Sequence, residues 1–476
     1  MSSSEQPPSL YAAREPVFPK RVKGTFRNLK WTLMSMALGV YYLTPWIRWD
    51  RGPSLPDQAV LLDLASRRFF FFWIEIWPHE FYFVAGLLIM AGLGLFLFTS
   101  ALGRVWCGYA CPQTVWTDLF VHVERWVEGD RNAQLRLLRQ PWNARKARLR
   151  FTKWAIWLLI AMATGGAWVF YFTDAPTLAV NLVTLNAHPV AYTTIGILTA
   201  TTFVFGGFMR EQVCNYMCPW PRIQAAMMDE DTITVAYRDW RGEPRGKHRK
   251  GAQADQLGDC IDCMACVNVC PVGIDIRDGQ QMECITCALC IDACDDIMAR
   301  IGKPRGLIDY MALTDEANER AGNPKKPAWK HVFRPRTIAY TTLWSAIGVA
   351  LVVLLFVRSP IDVTVSPIRN PTYVVLSDGT IRNTYDLRLM NMQNEDREFR
   401  ITVTSEADLE VALEGIEGTS VTVPVDSTRL QRVYVLSPPG SAAASADSTS
   451  FRFWVEDEIS GIRAYQDTVF NGREGQ

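Results

Sequence analysis

The sequence predicts a multidomain membrane protein. An α-helical transmembrane bundle is interrupted by a cysteine-rich domain and followed by an all-β sandwich. Three observations carry this. About five apolar stretches are long enough to cross a bilayer, which takes roughly 20 residues per helix. Eight cysteines fall between Cys260 and Cys294 in two copies of one spacing. After Arg358 the apolar period becomes two, that of a half-buried strand.

The chain has 476 residues, enough for several domains. Its formal net charge is zero, so no basic field argues for a nucleic-acid partner. The hydrophobic share of 49% hides strong segregation between polar blocks and membrane-like stretches. Several of the 17 tryptophans end apolar runs, where aromatic belts form at the lipid interface. Residues 1–28 read as a basic tail, and no small-residue cleavage site follows the first apolar run, so that run is expected to be a retained anchor.

Residues 29–230 are expected to form a four-helix membrane domain, with spans near 29–47, 80–102, 154–173 and 189–209. The run Phe69 to Trp73 is placed at the interface. A fifth span is expected at 337–357, uncharged from Ile338 to Val357. Lys20, Arg21, Lys23, Arg27 and Lys30 precede span one, and a dense set from Arg104 to Lys153 follows span two. The loop from Asp174 to His188 has no Lys or Arg. The positive-inside rule therefore puts the N terminus and the cysteine block in the cytoplasm and the C-terminal domain in the periplasm of a bacterial inner membrane. Arg48, Arg51, Arg67 and Arg68 run against that rule.

The eight clustered cysteines are Cys260-x2-Cys263-x2-Cys266-x3-Cys270-Pro271 and Cys284-x2-Cys287-x2-Cys290-x3-Cys294. This is the spacing of bacterial two-cluster ferredoxins, in which each run gives three thiolates to its own [4Fe–4S] cluster and the fourth to the other. Cys260, Cys263, Cys266 and Cys294 are expected to hold one cluster, and Cys284, Cys287, Cys290 and Cys270 the second. Zinc sites use Cys-x2-Cys as separate pairs with longer spacers, and a reducing compartment disfavours disulfides. Asp295 stands after Cys294 where Pro271 stands after Cys270. The ferredoxin domain is placed at 259–310, between a polar linker at 231–258 and a connector at 311–336.

The other four cysteines form a repeat. Cys107-Gly-Tyr109-Ala-Cys111-Pro112 follows span two, and Cys214-Asn-Tyr216-Met-Cys218-Pro219 follows span four. The i,i+4 spacing would put each thiol pair on one helix face, with the proline starting a new helix. Val115, Leu119, Val123 and Trp126 then suggest an amphipathic helix lying in the interface. Paired thiols in apolar surroundings suit Cu(I), or dithiol–disulfide cycling, or plain packing. His79 and His188 lie near span ends and suggest no haem pair.

Residues 359–476 carry about seven or eight strand patterns, with Asp378-Gly379 as a hairpin signal and Ser441–Ser450 as a loop. That number of strands in that length suggests an immunoglobulin-like sandwich without cysteine or metal ligands.

Taken together, these features resemble the cytochrome c oxidase accessory proteins, the CcoG/FixG-like membrane ferredoxins, over nearly the whole length. The stretch from Cys270-Pro271 through Cys284 and Cys287 to Cys290, Cys294 and Asp295 is similar to that family's cluster region. The resemblance implies a membrane cupric reductase with two [4Fe–4S] clusters and copper as substrate. It would reduce Cu(II) to Cu(I) for assembly of a cbb3-type oxidase, with Cys107, Cys111, Cys214 and Cys218 as the candidate copper site. The implied partners are a cytoplasmic electron donor, a copper-delivery or oxidase assembly protein, and membrane lipid. A quinol dehydrogenase or electron conduit resembling NapH and NosR, and a non-enzymatic assembly factor, are the alternatives.

Overall fold

The computed structural model describes residues 16–52, 55–247, 257–393 and 395–473. Part of the expected basic tail and part of the expected 231–258 linker lie outside these residues. The chain divides into two units, the second beginning at Leu351 and taking in residues 50–57.

In the first unit, long helices alternate with short ones. They are α1 (Thr25–Leu43), α2 (Tyr82–Leu102), α3 (Val105–Tyr109), α4 (Pro112–Glu128), α5 (Arg131–Arg139), α6 (Ala144–Val169), α7 (Ala175–Val183) and α8 (Pro189–Thr202). A π-helical turn, Phe203–Met209, extends α8, and a second, Val213–Met217, precedes α9 (Trp220–Met227). Among the described residues three helical segments are long and apolar enough to cross a membrane: Pro78–Leu102, Pro189–Met209 and Pro335–Val357. Their side chains, such as Leu88, Ile89 and Val353, stand largely exposed. Only lipid can cover so much apolar surface, so this is a membrane protein.

The expected spans at 29–47 and 154–173 do form helices, but neither meets that measure of length and apolarity. The reason lies in the charges of their N-terminal halves. In α1, Arg27 and Lys30 are buried against Asp118, at 3.0 and 4.0 Å. In α6, Lys153 lies 2.9 Å from both Glu124 and Glu128, and Arg150 lies 3.1 Å from Glu128. Arg210 closes the network on Glu124 at 2.7 Å. Buried charges persist only when paired, so these ends are tied to α4 and not to lipid.

Helix α4 turns most of its expected apolar face toward the protein. Val115, Phe120 and Val123 are buried, as are Glu124 and Glu128, while Trp126 alone of the expected face is fully exposed. Phe120 stacks on Trp157 at 5.4 Å between centroids. Of the Phe69–Trp73 run, Phe69 to Phe71 lie in a strand and Phe72 and Trp73 in the turn after it. Strands β1 (Val60–Asp63), β2 (Arg68–Phe71) and β3 (Ile74–Ile76) form an antiparallel sheet with Phe70 buried in it.

The region expected as a linker is also structured where described. Strand β4 (Thr234–Tyr237) pairs antiparallel with β5 (Ile308–Met311), and α10 (Asp239–Gly242) follows β4. The two strands bracket α11 (Ala265–Val269) and α12 (Leu289–Arg300), which carry Cys266, Cys290 and Cys294, with the other clustered cysteines in the loops before and after them. The cysteine domain therefore begins near Thr234 rather than at residue 259. The expected connector holds α13 (Leu313–Arg320) and α14 (Ala328–Val332), and α15 (Pro335–Val357) is the last membrane helix.

The second unit is a two-sheet sandwich with nine strands among its described residues. They are β6 (Ile361–Pro367), β7 (Val374–Val375), β8 (Ile381–Asn391), β9 (Arg397–Thr404), β10 (Glu410–Leu413), β11 (Ser420–Val423), β12 (Ser427–Ser437), β13 (Ser448–Asp457) and β14 (Arg463–Asn471). One sheet runs β10-β12-β8-β6 with β7 on β8, the other β11-β9-β13-β14. Alternation puts Tyr385, Leu387 and Leu389 from one sheet against Phe399, Ile401 and Phe453 from the other. Gly379, at φ 87°, closes the expected hairpin between β7 and β8. The expected loop at Ser441–Ser450 contains one helical turn, α16 (Ala442–Ser445), and the start of β13.

Replacing Lys153 by Met would remove the cation shared by two buried carboxylates, leaving Glu124 with Arg210 alone and Glu128 with Arg150 alone, and breaking a buried pair costs about 3–5 kcal/mol. The unfolding temperature in detergent is expected to fall by several degrees, with partial recovery in Lys153→Met, Glu128→Gln. A variant as stable as the parent would show the network to be energetically idle.

Candidate functional site

Two loops of the same shape hold the clustered cysteines. In the first, Asp262 and Met264 flank Cys263 with φ of 55° and 58°. In the second, Thr286 and Ala288 flank Cys287 with φ of 53° and 58°. Left-handed backbone is costly for such residues, and its repetition at matching positions is what a loop needs to turn successive thiols inward. Met264 and Ala288 then cap α11 and α12.

The electrostatics sort the thiols into two sets. Burial pushes Cys294 up to about 12, and Cys266, Cys263, Asp295 and Cys260 push the same way. Burial pushes Cys270 up to about 12, joined by Cys287 and Cys284 and opposed by the amides of Val272 and Ile274. Cys290 is raised by burial and by Cys287, Cys284, Cys270 and Cys266. Each run's fourth cysteine thus sits with the other run's first three. An apolar cavity is lined by Cys270, Cys284, Cys287 and Cys290, with Cys266 at its edge. Four thiols around an apolar void, with backbone amides directed at sulfur, fit a [4Fe–4S] cube.

The first membrane motif lies directly against the second loop. The Tyr109 hydroxyl donates to the Cys287 carbonyl at 3.1 Å, and the Arg104 guanidinium donates to the Met282 carbonyl. A Cβ on Gly108 would lie 2.5 Å from the Ile285 carbonyl oxygen, so only glycine permits this approach. Cys107 packs on the group containing Ile285, Cys287 and Leu289, with Cys290 beside it. Tyr310 donates to the Thr286 carbonyl at 3.2 Å, completing the wall around this loop.

The four membrane-motif thiols share one neighbourhood. Burial raises Cys107, with Cys111 and Cys218 adding to the shift and Arg104 opposing it. Burial raises Cys214 to about 12, and Cys111, Cys107 and Cys218 act on it in that order. Among the described residues no three His, Cys, Asp or Glu side chains are placed to hold one metal ion.

The pairs do not meet by sharing a helix face. Helix α3 ends before Cys111, which caps α4, and Cys218 is extended after the π turn. Each motif closes with the same five-residue bond: Cys111 N–H to Trp106 O at 3.0 Å, and Cys218 N–H to Val213 O at 2.8 Å. Proline then starts the next helix at Pro112, while Pro219 caps α9. Four residues before each first cysteine the backbone has positive φ, at Gly103 (62°) and Arg210 (45°). In structure, then, Arg210 matches Gly103.

Sequence reasoning passed over two glutamines that lock the motifs crosswise. Gln113, after the first motif, donates to the carbonyls of Phe205 and Arg210 before the second, at 2.9 and 3.2 Å. Gln224, after the second motif and fully buried, accepts the Cys107 thiol at 3.1 Å and donates to Thr99 at 3.2 Å. A glutamine amid apolar positions of short helices was the available signal. The repeats are unequal in one respect: Tyr109 is buried against the cluster loop, whereas Tyr216 is exposed.

Comparison with known proteins agrees in extent with this architecture. Residues 209–313 match the model of a 4Fe-4S dicluster domain, and residues 83–129 that of a 4Fe-4S binding domain. Residues 351–473 match the Ig-like fold at the C-terminus of FixG. The chain is 70% identical to the protein RdxB of Cereibacter sphaeroides over 473 residues, covering 99% of each. It is 64% identical to RdxA of the same organism over 448 residues, covering 94% of this chain and 95% of that one. It is 54% identical to the nitrogen fixation protein FixG of Rhizobium meliloti, covering 97% of this chain and 94% of the relative.

Two outcomes are expected at this site. Gly108→Ala should perturb the neighbouring cluster selectively, bringing iron content toward about half of the eight irons that two cubes contain; full iron with an unchanged spectrum would contradict the close approach. Because the thiolate is the nucleophile and Cys214 is held protonated, its alkylation by iodoacetamide should rise about tenfold per unit through pH 10, without levelling near the usual thiol value. A plateau by pH 9, mapped by mass spectrometry, would contradict the burial of that thiol.

Proposed function

The chain belongs to the FixG family of membrane iron–sulfur electron-transfer proteins, and from that premise we propose that it reduces Cu(II) to Cu(I) at the membrane-motif thiols. Bound [4Fe–4S] clusters would supply electrons one at a time, which is the number that turns Cu(II) into Cu(I). Cys260, Cys263, Cys266 and Cys294 would hold one cluster, and Cys284, Cys287, Cys290 and Cys270 the other. The contact of Cys107 with the Ile285–Cys290 loop, in a thiol group that includes Cys111, Cys214 and Cys218, is the observation that supports this most.

The chemistry follows from the ligand type. Thiol sulfur is soft and binds Cu(I) far better than Cu(II), so the site raises the copper couple and makes the transfer downhill. Copper binding would displace the thiol protons, because buried thiols bind metal only as thiolates. Gln224 would keep Cys107 oriented until that exchange. The product would go to a copper-delivery or assembly partner of a cbb3-type oxidase. The clusters would face the cytoplasm, and the sandwich would face the periplasm.

The match of residues 83–129 to a 4Fe-4S binding domain favours one second reading. That segment has only Cys107 and Cys111, but with Cys214 and Cys218 there are four thiols, the number a further cluster takes.

One experiment separates the two. Anaerobic protein is reduced, freed of reductant and given Cu(II), with cluster reoxidation followed beside Cu(I) trapping by a chelator. Matched rates that collapse when Cys107, Cys111, Cys214 and Cys218 become Ser, with iron unchanged at about eight per chain, are expected. About twelve irons, falling to about eight in that variant, would establish the further cluster instead. Clusters that stay reduced in excess copper would end the copper reading.

A further inference from the structure

A cavity lies between the second cysteine loop and the membrane motifs. Its walls include Val272, Ile285 and Leu289 from the cluster side, Cys214 from the motif side, and Thr117 and Asp118 from α4. The extended segment around Val17–Val22 lines it too, held by Lys20 N–H to Asn268 O at 2.7 Å and by Arg125 to Pro19 O at 2.7 Å. The space is largely apolar, so its polar atoms need partners.

Three of the lining residues carry a buried polar atom with no hydrogen-bond partner: Asp118 Oδ2, Arg27 Nη2 and Arg125 Nε. The Asp118 and Arg27 side chains are only 10% and 6% exposed. Asp118 Oδ1 is taken by Arg27 Nη1 at 3.0 Å, and Lys30 stands 4.0 Å from Oδ2, beyond hydrogen-bond reach. Buried orphans of this kind are rare, and here one acceptor and two donors border a single apolar space. A ligand that satisfies them must be apolar in body and offer both a hydroxyl and a carbonyl or hydroxyl oxygen. It must also be redox-active to make use of a place beside a cluster. A hydroquinone ring meets all four demands.

We propose that this cavity binds a hydroquinone headgroup and is where electrons enter the protein. The hydroquinone becomes quinone, breaking two O–H bonds and releasing two electrons and two protons. The two electrons would go one to each of the clusters held by the two cysteine sets. Asp118 accepts one proton at Oδ2, and Glu211, the other carboxylate of the lining, accepts the second. Arg27 and Arg125 hold the ring oxygens. The inference concerns electron entry and rests only on the presence of the clusters, so it stands apart from whether copper is the electron acceptor.

The test runs the step in reverse without copper. Clusters in the full-length protein are reduced with dithionite, desalted, and mixed with menadione under argon, and reoxidation is followed in the visible. The rate is expected to saturate with menadione. Thr117→Phe, which fills the cavity, should abolish saturation and slow the reaction at least tenfold. Asp118→Asn should slow it without weakening half-saturation comparably, and should flatten its pH profile. Ferricyanide should oxidise the parent and both variants equally fast, which checks that the clusters are intact. A rate linear in menadione, or one unchanged in Thr117→Phe, would mean outer-sphere oxidation with only water in the cavity, and would overturn the proposal.

Discussion

The contact between Gly108 and the Ile285–Cys287 backbone is the constraint on which the functional half of the molecule depends. A side chain there would strike a carbonyl oxygen and two backbone atoms of Cys287. Backbone cannot yield as a flexible side-chain end can, so the approach exists only because the residue is glycine. Tyr109 and Arg104 fix the same loop from either side with hydrogen bonds to its carbonyls. The result brings a thiol of the membrane motif into van der Waals contact with the shell of a cluster.

That arrangement places demands on its supports. Helix α4 begins at the first motif, and its buried carboxylates Glu124 and Glu128 must be neutralised where no water can do so. Lys153 and Arg150 come from α6, and Arg210 from the strained turn before the second motif. Arg210 therefore ties both halves of the repeat to one helix, its positive φ held by hydrogen bonding to Gly207 and ion pairing to Glu124. Gln113 and Gln224 complete the cross-bracing. The two motifs are locked to each other, which is what keeps four thiols near one another.

Much of this was legible in the residues. The spacing of eight cysteines needs no tertiary information, because a cube imposes its own ligand intervals on the chain. The last membrane helix was clear, since a long uncharged apolar run has few other uses. The alternation after Arg358 announced a sandwich, and Asp378-Gly379 its hairpin. The basic ends of α1 and α6 were less legible: Arg27, Lys30 and Lys153 look like cytoplasmic flanking charges in a sequence. Nothing local says that Asp118, Glu124 and Glu128 wait for them.

The chain by itself thus determined its domain class, its cluster-ligand pattern and the existence of a duplicated thiol motif, because each is written in local spacing. Tertiary structure alone decided which thiols neighbour which, that the pairs meet through π-type turns instead of one helix face, and that Gly108 rather than Asn215 abuts the cluster loop. It also decided that Asp118 would border a cavity with an unmatched oxygen. These are outcomes of long-range packing between segments roughly 90 to 180 residues apart, such as Arg27 with Asp118 and Tyr109 with Cys287. A pattern that repeats every few residues carries no record of them.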